Sequence, residues 1–162
     1  VTIAAINGAC AGAGFGYALA CDLRYVARGV RMNTAFLDVA VAGDMGLPWM
    51  LPKIVGAGKA RELSFFPQRI EADEARAINL VNDVFEPADL MHEVYTRAAR
   101  IAATAPLARR FLKQHYVEAE TLSYRDFVML ETERHVRISK SRDTQEAFLA
   151  FVEKRRANFV GE

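Results

Sequence analysis

Between Asn7 and Asp22 the chain reads NGACAGAGFGYALACD, with four glycines, five alanines and no charge before Asp22. It follows directly on VTIAAI, an apolar run that fits a strand covered on both faces. Side chains this small let backbone approach backbone, or let a ligand approach backbone. A buried strand that turns at Asn7-Gly8 into a short apolar helix from about Gly14 to Ala20 is an α/β beginning. DLRYVAR, residues 22 to 28, alternates enough for a second strand.

The 162 residues suffice for a sizeable core. Twenty-one Lys and Arg balance twenty Asp and Glu, so no global charge draws the chain to nucleic acid or to a membrane surface. Cys10 and Cys21 form no C-x-x-C pair; both read as small buried hydrophobes in a reducing, cytoplasmic setting, and a metal site is not expected. No apolar run reaches membrane length. The chain opens on a strand-like run without an initiator Met, and so reads as a piece of a longer protein.

A polar, irregular stretch is expected through Thr34, then an apolar run, AFLDVAVAGDMGL, ending in a Gly-Asp-Met-Gly loop. Pro48 suits the first turn of a helix, which Pro52 should shorten or kink. Gly58 to Phe66 reads as helix. Acidic residues at 71, 73 and 74 open another, where they oppose the helix dipole, and LVNDVF follows as a strand. Beyond Pro87 helical spacing takes over, in 87–104, 106–119, 123–140 and 142–157. The expected division is an α/β part over 1–104 and a helical region over 105–162.

Gly12-Ala13-Gly14, between strand and helix, exposes backbone N–H groups at a positive dipole end. These can bind phosphate or an oxyanion, or the glycines can serve close helix–sheet packing. The stretch is neither a Walker A loop nor G-x-G-x-x-G. Asp44, flanked by Val41, Met45, Leu47 and Trp49, is a candidate proton shuttle in apolar surroundings, or else a turn aspartate. Trp49 reads first as core and second as a pocket wall. His92, His115 and His135 read as surface or helix-packing residues. Arg109, Arg110 and Lys113, like Lys154-Arg155-Arg156, read as solvated faces, or as partners for a phosphorylated ligand.

Several stretches together resemble the crotonase (enoyl-CoA hydratase/isomerase) superfamily: AAING, AGAG, ACDLR, LPKIVG with KAREL, IEADEARAINLV and AFVEKR. The similarity covers nearly the whole chain. It implies a spiral of ββα turns whose N-terminal part is missing here, followed by a helical region for oligomerisation and active-site cover. It implies an acyl-coenzyme A thioester as substrate, no permanently bound cofactor, and assembly as a homotrimer or hexamer. One oxyanion-hole N–H matches Ala13, beside Gly12; the other belongs to a loop upstream of Val1. Trp49 is placed at the substrate, and Phe151 and Lys154 match positions that contact coenzyme A.

Family hydratases use two glutamates, and these match Gly16 and Phe36, neither of which transfers a proton. Asp38 lies two positions off. Asp44 matches the acidic residue that isomerases of the family carry in this loop. The resemblance therefore implies double-bond isomerisation through one carboxylate and an oxyanion hole. The alternatives are a hydratase, lyase or hydrolase whose second group lies elsewhere, and a non-catalytic acyl-CoA-binding or scaffold member. An RNA-binding role has weak support, because basic and acidic groups interleave.

Overall fold

The computed structural model describes residues 1–162. The chain forms two compact units, Thr2–Ala98, and Ala99–Glu162 together with Val1.

In the α/β unit, β1 (Ile3–Ile6), β3 (Leu23–Ala27) and β6 (Asp83–Phe85) form an all-parallel sheet in the order β1-β3-β6. Ile6 pairs with Val26, and Val26 with Val84. A second sheet joins β2 (Cys10–Ala11), β4 (Arg31–Asn33) and β5 (Ile70–Glu71) in the order β2-β4-β5. Here Cys10 lies parallel to Met32, and Met32 antiparallel to Ile70. Strand β4 falls in the stretch expected to be irregular. Its three residues carry no local strand pattern, and pairing to both neighbours supplies the conformation.

Helix α1 (Gly12–Leu19) buries Phe15, Gly16, Ala18 and Leu19. Helix α2 (Leu47–Val55) takes Pro48 in its first turn and runs on through Pro52. It ends at Val55, three residues beyond Pro52. The amide that Pro52 lacks would have bonded the carbonyl of Pro48, an exposed residue whose carbonyl water can satisfy. Helices α3 (Ala57–Phe65) and α4 (Ala72–Ala77) complete the layer, with Leu63 and Ala75 buried. One continuous core of Phe15, Val26, Met32, Leu47, Leu51, Leu63, Ile70, Leu80 and Val81 holds the unit.

The ACDLR stretch has a structural explanation. Asp22 accepts from the Thr2 amide at 2.7 Å. Arg24 is buried on β3, where its Nε donates to the Leu80 carbonyl at 2.8 Å and its Nη1 to the Cys21 carbonyl at 2.7 Å. Burial lowers the pKa of this guanidinium from its ordinary value.

Helix α5 (Leu90–Ala102) crosses from one unit into the other. The helical unit continues with α6 (Pro106–Glu118), α7 (Tyr124–Ile138) and α8 (Arg142–Val152). Ser123 and Ser141 cap α7 and α8, accepting from the amides of Asp126 and Thr144. Beyond α8 the chain folds back. Buried Asp143 accepts from the amides of Val160 at 2.7 Å and Gly161 at 2.9 Å. No helix is long and apolar enough to cross a membrane.

Candidate active site

The short strand β2 delivers the chain into α1 through Ala11, whose extended backbone precedes the helix without a side-chain cap. No acidic residue stands in the first turn. The first-turn amides at Gly12, Ala13 and Gly14 thus have neither a side-chain cap at Ala11 nor an acidic residue in their own turn. Gly12 and Ala13 are half-buried. The Phe36 ring lies beside this turn: its Cε1 is 4.0 Å from where a Gly12 Cβ would stand.

The loop before α2 packs on the same helix. A Cβ built at Gly16 would stand 3.3 Å from the Asp44 carbonyl oxygen. Gly16 follows Ala13 by three residues, hence on the same face and about 4.5 Å farther along the axis. The Asp44 backbone thus lies roughly one turn of α1 from Ala13. Its Oδ1 accepts from the Met45 amide at 2.7 Å, and its carbonyl accepts from Leu47 N at 3.0 Å.

Two expectations about this loop need correction. Asp44 is exposed in this chain, although its sequence neighbours are apolar. Met45 and Trp49 are exposed as well, and only Leu47 turns into the core. Trp49 is therefore not a core residue. It is 59% exposed, and Lys53, one turn along α2, sets its Nζ 3.0 Å from the ring centroid. The reason is helical periodicity: α2 buries Leu47 and Leu51, and position 49 points away from that stripe.

Beside the loop lies an apolar cavity of about 310 Å³. Phe36, Leu37, Val41, Leu47, Leu51 and Phe65 line it, with Arg61 among the polar groups. Met45 and Trp49 do not, although sequence proximity to Asp44 suggested an apolar pocket of Met45, Leu47 and Trp49. Phe65 and Arg61 come from α3 and carry no local signal for this role. The exposed pair Phe65-Phe66 ahead of Pro67 is the one hint the sequence holds.

Cys10 lies directly before this turn, and burial pushes its thiol up to about 11, which removes it as a nucleophile at neutral pH. No group of three or more His, Cys, Asp or Glu side chains is placed to hold a metal ion.

Apart from His92, which lies on α5 within the α/β unit, the remaining candidates belong to the helical unit. Phe151, in the last turn of α8, is 83% exposed, and Lys154, just beyond the helix, has φ of 54°. Arg155 is committed to Glu146 and Glu153, and Arg109 to the Ile101 carbonyl. His92 and His135 are exposed; His115 is half-buried, edge-on to Phe127, with its Nε2 buried and unpartnered. Another cavity, of about 780 Å³, lies in this unit against Phe111, Leu112, His115 and Ile138. It holds none of the groups described at α1.

The family model for enoyl-CoA hydratase/isomerase matches residues 1–162. The chain belongs to that family. Within it, the chain is 33% identical over 154 residues to the short-chain-enoyl-CoA hydratase of Clostridium acetobutylicum, covering 95% of this chain and 59% of that protein. It is 32% identical over 159 residues to the mitochondrial Delta(3,5)-Delta(2,4)-dienoyl-CoA isomerase of Dictyostelium discoideum, covering 98% and 54%. The crystal structure of enoyl-CoA hydratase from Bacillus anthracis superposes with a TM-score of 0.95 at 31% identity, covering 99% of this chain and 62% of that one. The α/β architecture is therefore the crotonase fold, and the chain spans about 60% of the length of such enoyl-CoA hydratase/isomerase relatives.

Proposed function

We propose that the protein isomerises the double bond of acyl-coenzyme A thioesters, with Asp44 as its single proton-transferring carboxylate and the Ala13 N–H as one oxyanion donor. The observation that carries this reading is the packing of the Asp44 loop on α1, one turn from Ala13, where Gly16 and Phe36 offer no second carboxylate. Relatives carry both hydratase and isomerase names, so the choice rests on these side chains.

In a 3-enoyl thioester the Asp44 carboxylate takes a proton from the carbon beside the carbonyl. The C–H electron pair moves into the conjugated system, and negative charge gathers on the thioester oxygen. The Ala13 N–H at the positive end of α1 stabilises that charge. The carboxylic acid of Asp44 then returns the proton at the γ-carbon, the double bond rests beside the carbonyl, and no atom is gained or lost. A single base beside an oxyanion hole suffices because no water is added. The cavity of Phe36, Leu37, Val41 and Leu51 supports an apolar acyl group. Exposed apolar side chains of α6 to α8, among them Tyr116, Met129 and Phe148, support assembly of copies as a homotrimer or hexamer.

The test is Asp44→Asn in the full-length protein, assayed with trans-3-hexenoyl-CoA. The expected result is a kcat lower by about 10² to 10⁴, with binding of the thioester retained. Unchanged turnover sinks the assignment of Asp44.

A further inference from the structure

The Asp44 loop is pinned at two places. A Cβ at Gly16 would come 2.6 Å from Met45 Cβ and 3.2 Å from the Met45 carbonyl oxygen, closer than carbon atoms pack, roughly 3.5 to 4.0 Å. Position 16 therefore accepts no side chain while Met45 sits where it does. At the other end, a Cβ at Gly43 would come 2.7 Å from Pro48 Cγ, and Gly43 has φ of 126°. Between the two pins stands Asp44, bonded through Oδ1 to the Met45 amide. Met45 itself has φ of 51°, uncommon for a residue with a side chain. Met45 is 42% exposed, so it is not held by deep burial, and its Cβ and carbonyl face Gly16.

We infer that Met45 is a positioning residue. Seated on Gly16, it fixes the Asp44 loop against α1 at the level one turn from Ala13, and it occupies the space that a side chain at position 16 would need. The pair thereby restricts the site to one carboxylate. This rests on the isomerase reading and adds to it the contact that sets the geometry of the base.

The pair is tested by a double-mutant cycle of Gly16→Ala and Met45→Gly in the full-length protein, with trans-3-hexenoyl-CoA as probe. Alanine in place of glycine favours a helix, so a purely helical effect of Gly16→Ala raises the melting temperature. The clash predicts the reverse, together with a lower kcat. Met45→Gly introduces no clash; it is expected to lower kcat with KM unchanged. In the double variant the 2.6 Å clash with Met45 Cβ is gone and only the carbonyl oxygens of residues 45 and 44, at 3.2 and 3.3 Å, still crowd the new methyl, so kcat is expected to exceed the product of the two single effects roughly tenfold.

Independent effects, or a Met45→Gly protein with the kcat of the parent, overturn the positioning role while leaving the isomerase intact. If Gly16→Ala does not fold, the kcat of Met45→Gly alone decides between the two. A parent protein that moves no double bond sinks the isomerase reading itself, and the role of Met45 with it.

Discussion

The two compact units are held by different physics. The α/β unit buries Phe15, Val26, Met32, Leu51 and Ile70 almost completely. In the helical unit only Phe111 and Ala150 are buried hydrophobics, while Tyr116, Tyr124, Met129, Phe148 and Phe151 stand in solvent. There the order comes from serine caps, from the Glu118–Arg134 and Glu146–Arg155 pairs, and from Asp143 holding the returning tail. A dry core fixes backbone positions closely. That is what an N–H aimed at a developing charge requires, and both Ala13 and Asp44 are carried by the first unit.

This contrast predicts a graded response to mutation. Phe15→Ala, in the core beneath α1, is expected to cost about 3 to 5 kcal/mol in denaturant unfolding. A loss under 1 kcal/mol would mean that this core does not hold the unit. Asp143→Ala leaves the amides of Val160 and Gly161 without their acceptor, at a cost of about 1 to 3 kcal/mol. Hydrogen exchange should show it locally, as lost protection at those two amides and unchanged protection in β3.

Glu146 tests the electrostatic part. Its hydrogen bonds from Arg155 and from the Asn158 amide hold its carboxyl down to about 2, against an ordinary 4.5. A depressed folded-state pKa gives stabilisation that is fully present above about 4.5 and is lost as pH falls toward about 2. Glu146→Gln should be less stable than the parent at neutral pH, with the difference closing as pH falls through that window and the acid limb flattened accordingly. The smallest effect is expected at Tyr124, 85% exposed. Tyr124→Ser should change stability by no more than about 0.5 kcal/mol, whereas a large loss would assign that face a partner.

Much of this was legible in the sequence, and the exceptions have one cause. Strand β1 announces itself as an apolar run because a parallel strand is covered on both faces, and β3 shows itself through the alternation in DLRYVAR. The later helices show their spacing locally. Strand β4 could not be read, since Arg31-Met32-Asn33 becomes a strand only by pairing with Cys10-Ala11 and with Ile70-Glu71. Likewise Asp44 stands out as a residue type and Ala13 is singled out only by the resemblance, but the seat of Met45 on Gly16 joins positions far apart in the chain. Trp49 misled because neighbours in sequence are not neighbours on a helix face. The resemblance carried the family; it could not show which contacts hold the Asp44 loop.

The central claim, one carboxylate acting beside an oxyanion donor with no water added, is tested most directly by isotope labelling. Full-length protein is incubated in deuterated water with trans-3-hexenoyl-CoA and, separately, with crotonyl-CoA, and the products are weighed by mass spectrometry. The account predicts that the hexenoyl double bond migrates with deuterium incorporation, and that neither thioester gains the mass of a water. Addition of water to crotonyl-CoA would contradict it, and would require a second proton-transferring group that neither Gly16 nor Phe36 supplies.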